Sequence, residues 1–452
     1  MNTLLEKTIK FYIIIGLLLY VILYILYGEM YSYYNILNFM AFISYAFLLY
    51  TATNRQEGYY KARRLATTVF FYTLIFVGMY QYMCDYYTGN TFLFSEADAK
   101  TYQKIANSMV RMPVWKWIPY LQNDVRWGFD DYGAPIFMSI IYVIVPHKLF
   151  LNFIYILLNV ASAVMLFRIS EAFMMKSYAY LATLTYSTAS YVIFFMGSGL
   201  KEVVFMFAII SSMYMLYRYE RTRNIGYLVW GGVISIVILF FRVPVALFVW
   251  VSYGALLFYG NQSTIKQAFL IVAGAIIIVF ALGSVTYSME RYVGQGGVTE
   301  TYRFVNYTSF QRYVSYVATL VGPFPDLLQT RAELSFKSMF GAGLLYKFLL
   351  FFPFWKGVKL CVAEREKLLF PIYTFVFLEM AGIIVVLDGL ELRKSLAHMP
   401  FFIMAAFWYM SRHDEDMNEQ LTHTPYYIWA SREFIICAFI VFGTSLFWNI
   451  LR

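Results

Sequence analysis

The chain has 452 residues, of which 61% are hydrophobic and only 13% are charged, and its mean hydropathy is +0.61. Soluble globular domains carry about a quarter charged residues, so this composition excludes an ordinary soluble protein. The net charge of +9 does not indicate nucleic-acid binding, because the basic residues lie in short segments between apolar runs, where they set membrane orientation.

The apolar runs predict an all-α polytopic membrane protein with about 13 transmembrane helices, since about 20 apolar residues cross a bilayer as a helix. We interpret residues 1–452 as a single integral membrane domain. The predicted spans are 10–27, 35–51, 66–83, 149–168, 178–197, 201–217, 226–241, 244–260, 267–286, 338–354, 368–387, 395–411 and 433–451.

Four basic clusters set the predicted orientation: Arg55 with Lys61, Arg63 and Arg64; Arg168 with Lys176; Arg218 with Arg221 and Arg223; and Lys356 with Lys359, Arg365 and Lys367. They fall on one side of the membrane, the cytoplasmic side by the positive-inside rule, if residues 134–147 do not cross. That segment would be about 20 Å long as a helix, so we interpret it as re-entrant or interfacial. The expected location is a bacterial inner membrane with polar chemistry on the outer face.

This topology leaves two large external loops, 84–133 and 287–337. In the first, an apolar stripe at helical spacing predicts an amphipathic helix over 98–112 that lies on the outer membrane surface. The stripe consists of Tyr102, Ile105, Ala106, Met109 and Met112.

Lys201 and Glu202 follow Gly197-Ser198-Gly199 at a predicted span start. Neighbours in a helix do not face each other, so the two are not simply an ion pair. In one interpretation Lys201 snorkels to the interface and Glu202 complements the helix dipole. In the other, both face a cavity, because ionisable groups at membrane depth are usually functional, and Lys201 binds a phosphate.

Three acids of the first loop are candidate catalytic residues. Asp98 completes a capping-box pattern with Ser95 and could simply cap the amphipathic helix. Asp130 and Asp131 precede a Tyr-Gly-Ala-Pro turn and could be plain loop residues. Glycosyl transfer needs a carboxylate that deprotonates the incoming hydroxyl, and any of these acids could supply it.

Basic residues at predicted external span ends and in the second loop are candidate phosphate ligands, since guanidinium groups bind phosphates in a bidentate manner. Interfacial exposure is the alternative for each. These candidates are Arg242, Arg303, Arg393 and Lys394. The three cysteines and four histidines show no paired spacing, so we predict no metal site formed by them.

Several segments in this order resemble the GT-C superfamily of polytopic glycosyltransferases, which includes protein O-mannosyltransferases and lipid A aminoarabinose transferases. The resemblance runs loosely from about residue 66 to 411, with two predicted spans before the usual first one. The segments are Asp98-Ala99-x-x-Tyr102-x-x-x-Ala106, DDYGAPIF at 130–137, LFRISEAF at 166–173, Leu200-Lys201-Glu202, FFRVPVAL at 240–247, GPFP at 322–325 and RKSLAHMP at 393–400. The resemblance implies that Asp98 is the catalytic base, with Asp130 or Asp131 as a second acid, and that Lys201, Arg242 and Arg393 contact phosphate.

The expected activity is transfer of a sugar or glycan from a polyprenyl-(di)phosphate carrier to an acceptor hydroxyl on a glycan, lipid or protein at the external face. A divalent cation, Mg²⁺ or Mn²⁺, could assist through the acidic residues, but none is required. The first alternative is a polysaccharide repeat-unit polymerase that uses the arginine-rich loop 287–337. The second is a flippase or transporter of lipid-linked sugars, which would show related halves or paired broken helices.

Overall fold

The computed structural model describes residues 10, 13, 14, 17, 32–53, 55–89, 97–125, 128–259, 337–364, 366–387, 396–419 and 436. Within these residues every regular element is helical and there is no strand. The predicted span 267–286 lies outside the described residues, and 10–27 and 433–451 lie almost wholly outside them.

The helices in chain order are α1 (Ser32–Thr53), α2 (Ala62–Thr88), α3 (Ala97–Val110), α4 (Gly133–Ile144), α5 (Lys148–Ser170), α6 (Lys176–Ser187), α7 (Ser190–Ser198), α8 (Glu202–Thr222), α9 (Ile225–Leu239), α10 (Val243–Tyr259), α11 (Lys337–Glu364), α12 (Phe370–Leu387) and α13 (Met399–Glu419). Single helical turns occupy Glu57–Tyr59, Val114–Lys116, Trp117–Tyr120, Leu121–Val125, Phe129–Asp131 and Leu396–His398.

Two of the described helices are long and apolar enough to cross a membrane: the Ala62–Tyr82 part of α2, and α5. A third candidate is the pair α6 and α7, if this bent pair counts as one span. Shorter apolar helices lie at Met40–Thr53, Gly133–Ile144, Ile225–Leu239, Val243–Leu256 and Phe370–Gly382. These features are consistent with a helical membrane protein, and the larger number of spans stays a prediction.

The predicted span 178–197 is broken into α6 and α7, which meet at 43°. Hydroxyl groups at the break bond back to carbonyls four residues earlier: Ser187 Oγ donates to Thr183 O and Thr188 Oγ1 to Leu184 O, each at 2.7 Å. Such bonds compete with the helix ladder and favour a bend. Asn159 of α5 donates to Ser187 O at 2.9 Å, which satisfies a carbonyl at the end of α6. The predicted span is therefore bent within its length, and the pair can still count as one span.

The segments that carry the four basic clusters share one end of the helices. The ring of Tyr59, between α1 and α2, lies 5.6 Å from that of Tyr180 near the start of α6. Tyr178 of α6 donates to Asp414 near the end of α13. An apolar cleft is lined jointly by the ends of α5, α8 and α10 and the start of α12. The start of α8 lies at the opposite end of that helix, and the side of the membrane that each end faces stays a prediction.

Candidate active site

The segment predicted not to cross the membrane forms α4, whose 12 residues span about 18 Å. Helix α4 turns back on α5 through Val145–His147, and the ring of Phe137 stacks on that of Tyr155 with centroids 6.0 Å apart. A helix of this length is shorter than the bilayer core, and its re-entrant or interfacial position stays a prediction. The turn before α4 contains Asp131. It therefore lies at the end of α4 that is far from the start of α5, and it contacts the start of α8.

The predicted amphipathic helix is α3, and its apolar face packs against α4. Gln103 Nε2 donates to Tyr142 OH at 3.2 Å, and Ser139 Oγ lies 3.5 Å from Ala106 O. In these two contacts the later residue of α3 meets the earlier residue of α4, so the two helices are antiparallel. The stripe that we expected to meet lipid is therefore covered by protein.

Antiparallel packing separates Asp98 from Asp131. Asp98 is an exposed acid in the first turn of α3, where it suits a helix N-terminus. Asp131 precedes α4, at the other end of the pair, which is about 18 Å away along α3. The structure thus separates Asp98 from the Lys201–Asp131 pair, and a role of Asp98 as the catalytic base stays a prediction.

Lys201 is buried and paired with Asp131. Helix α7 ends at Gly199, whose φ of 76° is left-handed, and Lys201 is the residue that precedes α8. Its side chain is 8% exposed, and Nζ donates to Asp131 Oδ1 and, at 3.2 Å, to Phe241 O. The snorkelling interpretation is wrong, because the ammonium turns into the protein and meets an internal carboxylate.

Glu202 and Arg242 form a second, looser contact. Glu202 begins α8 with its side chain 1% exposed, and its Oε1 lies 3.6 Å from Arg242 Nη2. The Arg242 guanidinium also lies 5.6 Å from the ring centroid of Phe205 and stays 21% exposed. Lys201 and Glu202 therefore have separate partners, as expected of neighbours in a helix.

The turn between α9 and α10 holds these groups together. Phe240 O accepts a 2.8 Å hydrogen bond from Gly133 N, at the start of α4. A Cβ atom on Gly133 would lie 2.7 Å from the ring of Phe241, so only glycine allows this approach without displacement. We call the cluster formed by Phe129–Gly133, Lys201, Glu202 and residues 240–242 the junction.

The sequence analysis missed Glu379, which also acts on Arg242. It is the only acid in α12, it is 3% exposed, and its carboxylate interacts electrostatically with Arg242. A lone carboxylate in an apolar helix is a functional candidate by default, so the signal was present in the run Phe370–Leu387. Among the described side chains, the junction and its surroundings thus contain three carboxyl groups, those of Asp131, Glu202 and Glu379, and two cations, Lys201 and Arg242.

Several predicted site residues lie outside the described residues: Arg303, Arg393 and Lys394. The backbone of Asp130 belongs to the turn Phe129–Asp131, but its side chain also lies outside. Among the described residues, no three His, Cys, Asp or Glu side chains are placed to hold a metal ion. Assistance by a divalent cation stays a prediction.

The junction leaves one carboxylate and one guanidinium partly open. The side chain of Asp131 is 40% exposed, and among the described residues only Lys201 donates to it, at Oδ1. Oδ2 can accept a proton or a hydrogen bond from a bound molecule. Arg242 retains donors beyond its contact with Glu202, because a guanidinium carries five. The arrangement can orient a hydroxyl beside an anion.

No protein-family model and no curated protein matches this chain. Among solved structures, one similar chain is the archaeal oligosaccharyltransferase AglB from Archaeoglobus fulgidus, in complex with an inhibitory peptide and a dolichol-phosphate. The identity is 12%, the TM-score is 0.43, and the match covers 86% of this chain and 55% of that one. A likeness this weak identifies neither the fold nor the activity of this chain.

Proposed function

We propose that this chain is an integral membrane glycosyltransferase that uses a polyprenyl-(di)phosphate sugar. The observation that carries the proposal is the partly open Asp131 carboxylate, which is anchored by a buried lysine beside Arg242 in an apolar helical protein. Buried ionisable groups in such a protein are costly, and they usually mark a functional site. A lipid carrier can remain among the apolar helices while its sugar reaches the junction.

Asp131 replaces Asp98 as the proposed base. The hydroxyl oxygen of the acceptor attacks the anomeric carbon, and its proton passes to Asp131 Oδ2. The bond between the anomeric carbon and the phosphate oxygen breaks, and its electron pair leaves with the phosphate. Lys201 fixes the orientation of the Asp131 carboxylate through Oδ1.

Arg242 is the proposed contact for the leaving phosphate. Its 3.6 Å separation from Glu202 exceeds the 2.7–2.9 Å of a charge-assisted hydrogen bond, so an incoming phosphate does not have to break a tight pair. Lys201 is less suited to this role because Asp131 already neutralises it. Glu202 opposes an extra negative charge, which favours phosphate binding on the exposed side of Arg242.

The two alternatives differ in what supports them. A repeat-unit polymerase would share the chemistry proposed for Asp131, but the loop 287–337 that suggested it lies outside the described residues. A transporter would pair broken helices from two related halves. The described residues contain one such bent pair, α6 and α7, and its break is closed by the hydrogen bond from Asn159.

The test is transfer by the purified protein in lipid nanodiscs, with a panel of polyprenyl-phosphate and polyprenyl-diphosphate sugars as donors. Asp131→Asn should keep the bond to Lys201 through its amide oxygen, retain polyprenyl phosphate in native mass spectrometry, and slow transfer by about 10²–10⁴-fold. Asp98→Asn and Asp124→Asn are matched controls, because both acids are exposed and lie in the same loop.

Two results would contradict the proposal. A severe loss in Asp98→Asn with normal transfer in Asp131→Asn would return the base to Asp98. Failure of the folded wild-type protein to bind any polyprenyl phosphate, together with no transfer from any donor, would exclude this class of reaction.

A further inference from the structure

Phe129 is an exposed aromatic residue that is nevertheless held in place. It is 47% exposed, and its ring centroid lies 4.4 Å from that of Phe240 and 5.7 Å from that of Tyr132. Phe240 in turn accepts the hydrogen bond from Gly133 that closes the junction. One side of the ring therefore packs against the turn that positions Arg242, and the other side is exposed.

The surroundings of Phe129 are charged. Asp131 lies two residues further along the same helical turn and is 40% exposed, and Arg242 follows Phe240 by two residues and is 21% exposed. A lipid tail on this ring would strip water from a carboxylate and a guanidinium without replacing their hydrogen bonds, which is costly. The open face of Phe129 thus suits a molecule that is apolar in its middle and polar at its rim.

We propose that Phe129 is the platform on which the pyranose ring of the transferred sugar stacks. A pyranose presents C–H groups on its face and hydroxyl groups at its edge, so the ring can lie on Phe129 while its edge stays in the polar surroundings of Asp131, whose Oδ2 remains open to the acceptor hydroxyl. The phosphate on the anomeric carbon then points to Arg242. This inference rests on the proposed function. It adds an apolar contact for the face of the sugar, which the acids and the cations do not provide.

The matched control is another aromatic residue of the same loop. Trp115 is 78% exposed, but it precedes the turn Phe129–Asp131 by more than a dozen residues. Among the described residues its ring packs against no other aromatic ring, unlike that of Phe129. If the loop aromatics simply contact lipid, Trp115→Leu and Phe129→Leu should have similar effects.

The first experiment measures transfer kinetics for Phe129→Leu, Phe129→Trp and Trp115→Leu. Phe129→Leu should raise KM for the donor by up to about tenfold, the equivalent of one lost stacking interaction, and should retain polyprenyl phosphate in native mass spectrometry. Phe129→Trp should restore KM, and Trp115→Leu should leave it unchanged. Thermal unfolding must show all variants folded, and Phe129→Met, which also lacks an aromatic ring, replaces Phe129→Leu if the latter fails to fold.

The second experiment does not depend on transfer. Saturation-transfer NMR on the nanodisc protein uses the methyl glycosides of glucose, galactose, mannose and N-acetylglucosamine as probes. Ring protons of at least one sugar should receive saturation from the wild-type protein and from Phe129→Trp, and much less from Phe129→Leu.

If Phe129→Leu transfers as much saturation to the sugar protons as the wild-type protein does, Phe129 is not the stacking platform. The same conclusion follows if the wild-type protein transfers no saturation to any probe. Absence of polyprenyl phosphate binding and of transfer overturns the proposed function instead, so the two failures are distinguishable.

Discussion

The pair formed by Lys201 and Asp131 predicts an asymmetric response to mutation. Removing one partner of a buried ion pair typically costs 3–5 kcal/mol, because the other charge is left without compensation. Asp131→Ala leaves an ammonium whose side chain is only 8% exposed and whose remaining acceptor is Phe241 O at 3.2 Å. We therefore expect a loss of about 3 kcal/mol in the free energy of unfolding, at the low end of that range, because Asp131 is partly exposed.

The reverse substitution should be milder. Lys201→Met keeps a chain of similar volume and leaves Asp131, which is 40% exposed and can be hydrated, so we expect a loss of about 0–1 kcal/mol. The double variant has no unpaired ammonium. Its loss of unfolding free energy should therefore be smaller than the sum of the two single losses by about 1–2 kcal/mol.

Equilibrium unfolding in mixed micelles of a mild detergent and dodecyl sulfate provides the four free energies of this cycle. Asp124→Ala is the control, because it removes an exposed acid of the same loop and should change stability by less than about 0.5 kcal/mol. Additivity within about 0.5 kcal/mol would mean that the two side chains do not interact, and it would refute the contact between the turn before α4 and the start of α8.

Three further predictions follow from the packing and the topology. Gly133→Ala places a methyl group 2.7 Å from the ring of Phe241 and should lower the free energy of unfolding by about 1–3 kcal/mol in the same assay; an unchanged stability would contradict this close approach. Asn159→Leu leaves Ser187 O without its donor and should cost about 1–3 kcal/mol, whereas a neutral effect would show that the break between α6 and α7 does not need this bond. In a cysteine-free background, a cysteine at position 123 should react with an impermeant thiol reagent in intact cells and one at position 224 should not; the opposite pattern would invert the orientation.

The features that the sequence predicted well are local. Apolar runs predicted helices, the short run 134–147 corresponds to the 12-residue helix α4, and the period of the stripe on α3 identified the face that is buried. The start of α8 after Gly199 follows from the left-handed backbone that glycine permits. Each of these properties depends on residues within a few turns of one another.

The features that it did not predict are pairings between distant segments. Lys201 and Asp131 are 70 residues apart, and a hydrophobic period shows which face is buried without showing what covers it. For the same reason the stripe on α3 predicted burial equally well against lipid or against α4. Glu379 is different: its position in an apolar run was visible, and only its partner Arg242 required the structure.

The contacts made by the turn between α9 and α10 constrain the length of this turn. Three consecutive residues contact two different elements: Phe240 O binds the start of α4, and Phe241 O and Arg242 contact Lys201 and Glu202 at the start of α8. Inserting or deleting one residue would rotate the following helix by about 100°, because an α-helix has 3.6 residues per turn. Such a change would redirect all three groups together, whereas single substitutions affect one at a time. Variation in chain length among proteins that keep this junction should therefore occur in their other loops and leave this turn at a constant length.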